Sequence, residues 1–287
     1  MDRKKVTVRT LQKKKDAGEK ITMLTAYDTP TGRFIDEAGI DIILVGDSVG
    51  NNVLGYENTL PVTMEEMIHH TKAVRRGVTY AFLVGDMPFM SYQVSVEQGV
   101  ANAGRFIKEA GCDCIKLEGG LDVLPVVKAI IAAGIPVMGH LGLTPQSVQK
   151  FGGYVVQGKT AESAADILAG ARALQDAGCC SVLLEAIPRQ LGAYITEQLH
   201  VPVVGIGAGP DTDAQVLVTP DLLGTFEGFK PKFAKRYLNL ASLVREALDT
   251  YRTEVITGVF PADEHCFEMP DDEVEKLKDM DGAPTEG

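Results

Sequence analysis

The stretch LVGDSVG, residues 44–50, carries an apolar run straight into an acid, and LVGDMPF, residues 83–89, repeats its first four letters. A buried β-strand that ends in a carboxylate, twice, is a pattern that chemistry can use. Polar residues at the ends of comparable apolar runs are Asp28, Asp47, Ser48, Asp86, Lys116, Glu118, His140 and Glu185. Carboxylates brought together repel, and their pKa values rise unless a cation compensates, so such a group is either partly protonated or metal-bound. Oxygen donors without Cys point to a hard ion such as Mg²⁺. Lys116 and Glu118 are two apart, so they share one face of a strand. A Lys within a buried strand needs a partner. It either pairs with Glu118 or a neighbouring acid, or it clamps a substrate carboxylate. A Schiff-base role is a further option, although a nearby metal polarises a carbonyl by another route. His140 either orients a ligand or bonds within the rim.

Other polar residues have plainer readings. Asp28, before Thr-Pro, suits a helix N-cap. His69 and His70 lie in a helical pattern and read as structural. GIGAG (205–209) is a short Gly-rich turn that either cradles an anion or packs closely after a strand. The basic residues of PKFAKRY (231–237) read as a solvated helix face, with contact to an anionic ligand as the alternative.

The elements that must position these groups repeat. AGIDIILVGD (38–47), AGCDCIKLE (110–118), AGIPVMGH (133–140) and AGCCSVLLE (177–185) share one order: Ala-Gly, an apolar run, a polar residue. Gly after Ala suits a helix C-cap with positive φ, and the apolar run suits a strand buried on both faces. Helical periods fill 63–77, 96–111, 121–134, 161–178 and 189–199, and Thr63 with Glu66 has capping-box spacing. With ITMLTAYD (21–28), VPVVGIGAG (201–209) and AQVLVTPDLLG (214–224), eight strands are expected. Eight βα units in 287 residues predict a single (β/α)₈ TIM barrel over residues 1–267, with an N-terminal helix or arm. A doubly wound sheet is the alternative, with fewer strands. A last helix is expected over 236–257, and the acidic 268–287 reads as a mobile C-terminal tail.

A net charge of −11 disfavours nucleic acid and anionic membranes as partners, though a local Lys or metal still admits an anionic small substrate. No apolar run reaches transmembrane length. The five cysteines form no zinc-type CxxC pairs, and an odd number without an export signal suits reduced thiols in the cytoplasm. Those at the starts of the fourth and sixth strands read as packing residues.

The stretches TAYD (25–28), LVGDSVG, LGYENTLPVT (54–63), GDMPFMSY (85–92), IKLEGG (115–120), GHLGLTPQS (139–147), FGGYVVQG (151–158), VGIGAG (204–209), PKFAKRY and EHCF (264–267) together resemble the ketopantoate hydroxymethyltransferase family. The resemblance covers roughly residues 5–267. It departs at Ala214, where the family pattern has Gly, away from the acidic motifs. It implies a barrel of the phosphoenolpyruvate- and pyruvate-handling type, and a ring-shaped homodecamer. It implies one Mg²⁺ per subunit on Asp47, Asp86 and Glu118. Asp47, Ser48, Asp86 and Lys116 would bind the 2-oxo acid, Glu185 would be the catalytic base, and His140 would support them. The implied reaction moves a hydroxymethyl group from 5,10-methylenetetrahydrofolate to 3-methyl-2-oxobutanoate, giving 2-dehydropantoate. A metal-dependent lyase or mutase acting on a related 2-oxo acid is the alternative within the fold. A non-catalytic anion-binding barrel is the alternative outside enzymology.

Overall fold

The structure, a computed structural model, describes residues 3–226 and 231–281. Eight parallel strands close into a barrel in sequence order. They are β1 (Ile21–Thr25), β2 (Ile42–Val45), β3 (Phe82–Asp86), β4 (Cys114–Glu118), β5 (Val137–Gly142), β6 (Ser181–Glu185), β7 (Val203–Ile206) and β8 (Ala214–Leu217). Closure comes from β1 against β8, with Met23 opposite Val216. The helices are α1 (Val8–Asp16), α2 (Thr29–Glu37), α3 (Met64–Gly77), α4 (Val96–Lys108), α5 (Leu124–Ala132), α6 (Val148–Phe151), α7 (Ala161–Asp176), α8 (Arg189–Gln198), α9 (Thr219–Leu223), α10 (Leu240–Thr257) and α11 (Asp271–Asp281).

Period-two alternation sorts each strand between two cores. Met23, Ile42, Leu44, Phe82, Val84, Cys114, Met138, Leu183, Val204 and Val216 form one apolar cluster, in the barrel interior. Ile43, Val45, Leu83, Ile115, Leu117, Val137, Val182 and Leu184 belong to a second, packed against helices. At the C-terminal end of β3 to β6 the interior positions turn polar, which places the site.

Punctuation follows expectation. Gly39, Gly111, Gly134 and Gly178 of the four Ala-Gly pairs all have φ between 70° and 100°. Asp28 caps α2 by accepting the Thr31 N–H, and Thr63 and Glu66 form the capping box of α3. The β7–β8 link differs from a βα unit: it runs through 207–213 with no helix, and β8 is followed by only the short α9.

The basic N-terminal arm joins the opposite end of the barrel. Val6 and Leu11 pack on the interior cluster. Lys5, Lys14 and Lys15 place their ammonium groups 2.6 Å from Asp113, Asp41 and Asp213 respectively. Each acid stands near the start of a strand and accepts a main-chain N–H from a neighbouring strand: Leu83 to Asp113, Thr22 to Asp41, Val203 to Asp213. One lysine and one aspartate thus fasten strands in three places.

The chain divides into two units, Met1–Leu238 and Asn239–Gly287, so the first ends before the expected boundary at 267. In the second unit α10 buries no residue. The expected acidic tail contains α11, which begins with Asp271, Asp272 and Glu273, favourable at a helix N-terminus. Lys276 pairs with Asp272 and Glu273 one turn back. Residues 282–287 lie outside the described residues. No helix among the described residues is long and apolar enough to cross a membrane.

Candidate active site

Four strands deliver polar side chains to one cavity of about 590 Å³. Asp86 ends β3. Lys116 and Glu118 hold the third and fifth places of β4, His140 lies in β5, and Glu185 ends β6. Registers set Asp86 beside Lys116, Glu118 beside His140, and Gly142 beside Glu185. Asp47 and Ser48 follow β2 through Gly46 and line the same cavity. Every residue singled out as a site candidate is therefore gathered here except Asp28, whose carboxylate is spent on the α2 cap.

The charged groups are packed closely. Lys116 Nζ lies 2.8 Å from Asp86 Oδ1 and 3.9 Å from Glu118 Oε1. It also lies 3.2 Å from His140 Nδ1. His140 Nδ1 is 3.4 Å from Glu118 Oε1, and its Nε2 is 3.3 Å from Glu185 Oε2. The Asp47 main-chain N–H donates to Asp86 Oδ2. The side chain of Glu185 is 16% exposed, against 1% for Asp86 and 3% for Glu118, so it is the more accessible acid.

These environments separate the acids. Burial first, then the charges of Asp86 and Glu118, push Asp47 well above the usual carboxylate range. Burial likewise raises Asp86, against the attraction of Lys116. Glu118 goes the other way. Burial disfavours its charge, but His140, Lys116 and the Gln146 N–H outweigh burial and lower it. Burial and Lys116 oppose charge on His140, yet its contacts with Glu118 and Glu185 raise it to about 9. The Lys116 ammonium, disfavoured by burial, is held charged by Asp86, Glu118 and Asp47.

Three residues the sequence reading passed over complete the site. Gln146 Nε2 donates to Asp47 Oδ2 at 2.9 Å, and the Gln146 main-chain N–H donates to Glu118 Oε2 at 3.0 Å. Tyr92 donates its hydroxyl to Gln146 Oε1 at 2.8 Å. Tyr27 O–H lies 2.8 Å from Ser48 Oγ, and burial lifts the Tyr27 pKa to about 12, so the phenol stays neutral. Gln146 and Tyr92 stand within quoted motifs, GHLGLTPQS and GDMPFMSY, but neither ends a strand.

Two of the remaining candidates, His70 and the GIGAG turn, resolve as structural. His70 on α3 bonds Tyr27 O through Nδ1. In GIGAG, a Cβ at Gly205 would meet Thr212 Oγ1 at 2.5 Å and one at Gly209 would meet Arg189 Cβ at 2.6 Å, so close packing accounts for the glycines. PKFAKRY is not helical, and Lys232 from it lines the cavity. All five cysteines are free thiols.

The donor set fits a divalent cation. Asp47, Asp86, Glu118 and Glu185 outnumber Lys116 and His140 by two charges when all are ionised. Asp86 Oδ1 is met only by Lys116 Nζ, and Glu118 Oε1 only by the longer contacts to His140 and Lys116, so each buried oxygen keeps a lone pair that a cation could take. Among the described residues, no three His, Cys, Asp or Glu side chains are gathered tightly enough to enclose an ion. The oxygen donors that line the cavity are of the kind a hard cation takes alongside water or substrate oxygens.

A sequence model of the ketopantoate hydroxymethyltransferase family matches residues 5–263. The 3-methyl-2-oxobutanoate hydroxymethyltransferase of Syntrophomonas wolfei is 55% identical over 273 residues, covering 95% of this chain and 99% of its own. That of Moorella thermoacetica is 57% identical over 265 residues, covering 92% and 98%. Among solved structures, 2,3-dimethylmalate lyase, a PEP mutase/isocitrate lyase superfamily member, aligns with a TM-score of 0.59 at 16% identity, covering 97% of this chain and all of that one.

Proposed function

The chain belongs to the ketopantoate hydroxymethyltransferase family, and on that premise we propose that its cavity catalyses hydroxymethyl transfer to 3-methyl-2-oxobutanoate. The product is 2-dehydropantoate, and the one-carbon donor is 5,10-methylenetetrahydrofolate. The observation that carries the residue roles is the convergence of Asp47, Ser48, Asp86, Lys116, Glu118 and Glu185 on one cavity.

The difficult step is removal of the C3 proton beside the 2-oxo group. Asp47 and Asp86, with Glu118 close by, would hold Mg²⁺, which would supply Lewis-acid polarisation of that group when bound. Lys116 and Ser48 bind and orient the substrate carboxylate, and Tyr27 fixes the Ser48 hydroxyl. Glu185 takes the proton. A base must be reachable as well as basic, and Glu185 faces the cavity with His140 beside it at 3.3 Å. His140 holds the Glu185 carboxylate in place. The C3 carbon, now carrying the electron pair of the broken C–H bond, attacks the methylene carbon of the donor, whose bond to one folate nitrogen has opened; water then displaces the second nitrogen, supplying the hydroxyl oxygen and releasing tetrahydrofolate. Assembly into a homodecamer and a cytoplasmic location belong to the same reading. Exposed Leu243, Val244, Leu248, Tyr251 and Ile256 on α10 support assembly, and the free thiols support the location.

The test is proton exchange. The protein is mixed with 3-methyl-2-oxobutanoate in D₂O, with Mg²⁺ or with EDTA, and the C3 methine signal is followed by NMR. Metal-dependent loss of that signal is expected. No exchange, together with no 2-dehydropantoate once the folate is added, would overturn the proposal.

A further inference from the structure

We infer that Gln146 is the positioning residue of this site, setting Asp47 and Glu118 in one geometry. The inference rests on the proposed function, in which those acids serve a cation.

Gln146 is 5% exposed and sits in the single helical turn Pro145–Ser147 after β5. That turn is closed by the Ser147 N–H donating to Thr144 O. The orientation of the side-chain amide follows from its surroundings. Oε1 accepts from the Tyr92 hydroxyl at 2.8 Å, and the Tyr92 oxygen in turn accepts from the Glu118 main-chain N–H at 3.1 Å. With the oxygen committed, Nε2 faces two acceptors. One N–H goes to Asp47 Oδ2 at 2.9 Å and the other to Met87 O at 3.0 Å. Both amide hydrogens are used, and a flipped amide would set oxygen against two acceptors. The main-chain N–H of the same residue reaches Glu118 Oε2 at 3.0 Å.

One residue after β5 therefore holds the loop after β2, the loop after β3 and the end of β4. It uses one oxygen of Asp47 and one of Glu118, and leaves Glu118 Oε1 to the longer contacts with His140 and Lys116. Both acids lie where burial and mutual repulsion oppose order. Repelling carboxylates left to themselves would swing apart. A neutral, doubly donating amide keeps one in place without cancelling the charge that a cation needs. Glutamate at this position would aim oxygens at Asp47 and Met87 O, asparagine would be a methylene short, and leucine would donate nothing.

The experiment measures Mg²⁺ binding by calorimetry on the full protein without substrate, for wild type, Gln146→Leu, Gln146→Glu and Tyr92→Phe. Loss of groups that orient metal ligands weakens metal affinity by about 10- to 100-fold, and both Gln146 variants are expected in that range. A residue that merely fills space would tolerate Glu. Tyr92→Phe keeps the amide but releases its orientation, so a smaller loss is expected. The double variant Tyr92→Phe with Gln146→Leu is expected to be no worse than Gln146→Leu alone, because both act through one network. Folded Gln146→Leu or Gln146→Glu protein that binds Mg²⁺ like wild type overturns the inference, as do additive effects in the double variant. If the Gln146 variants do not fold, an unchanged affinity in Tyr92→Phe overturns it. Wild-type protein that binds no Mg²⁺ overturns the metal reading itself, and this inference with it.

Discussion

Gly142 ends β5 beside Glu185, and the reading of Glu185 as a base predicts what a methyl group there does. Gly142 has φ 90°, and a Cβ added to it would stand 2.3 Å from Glu185 O and 2.8 Å from Ile187 Cγ2. Real Cβ contacts essentially never fall under 3.0 Å, so the Glu185 main chain must retreat by at least 3.0 − 2.3 = 0.7 Å. The Leu143 N–H donating to that carbonyl at 2.8 Å resists the move. A misplacement of about 1 Å at a reacting group costs ~100-fold in rate. Gly134 supplies the control. Its φ is 86°, and an added Cβ meets nothing within 4 Å. Gly134→Ala therefore carries the left-handed backbone cost of about 1–2 kcal/mol and no displacement of the site. Gly142→Ala should carry that cost, a further steric loss, and a kcat lower by ~100-fold. Thermal unfolding and steady-state 2-dehydropantoate formation, measured on both variants, separate the two effects. A folded Gly142→Ala enzyme with a kcat within about threefold of Gly134→Ala, under 1 kcal/mol of barrier, would refute the placement of Glu185 at the chemistry.

Three other outcomes are expected. Glu185→Gln should lower kcat by ~10²- to 10⁴-fold, the usual worth of a general base, while calorimetry shows little change in 2-oxo acid affinity; retained turnover would move the base elsewhere. Lys116→Met removes the cation from a buried pair, which costs about 3–5 kcal/mol, read by urea unfolding in EDTA; a loss below about 1 kcal/mol would show that Asp86 and Glu118 do not depend on it. The His140 pKa is raised from 6.5 to about 9 on folding, so its contribution to stability is fully present below pH 6.5 and is lost as pH rises through about 9. The stability difference between wild type and His140→Asn, measured without Mg²⁺, should therefore shrink across that window, and a difference that grows with pH contradicts the ion-pair assignment.

What could be read from the sequence was whatever period and repetition encode. Cys114, Lys116 and Glu118 alternate with Ile115 and Leu117, so the inward face of β4 and its polar end were visible before any coordinates. Asp86 and Glu185 were visible for the same reason, as strand-terminal residues of a repeated unit. Gln146 and Tyr92 were not, because loops carry no period. Their roles depend on how the loops after β2, β3 and β5 meet over the barrel. The pairing of Lys15 with Asp213, 198 residues apart, was hidden for a similar reason. The basic arm announced its charge but not its partners. The missing helix between β7 and β8 was legible only as length: seven residues, 207–213, with Gly207, Gly209 and Pro210 among them, leave no room for a helix packed on the barrel.

The fold leaves the division of labour among four acids open, since structures of this shape at 16% identity share the barrel alone. The local environments narrow it. Glu118 is held as an anion by His140, Lys116 and the Gln146 N–H, which lowers its basicity and makes it a poor proton acceptor. Asp47 and Asp86 are disfavoured as anions by burial, so a cation opposite them favours their charged form. Glu185 keeps a side chain open to the cavity and contacts one positive neighbour, His140, rather than two. Acid–base assignments follow from such separations. On the proposed reading, a cation on Asp47 and Asp86, an anchored Glu118 and a reachable Glu185 follow from one charge imbalance. Filling the cation site should therefore also protect the protein against unfolding as pH rises, because Mg²⁺ removes the penalty of ionising Asp47 and Asp86.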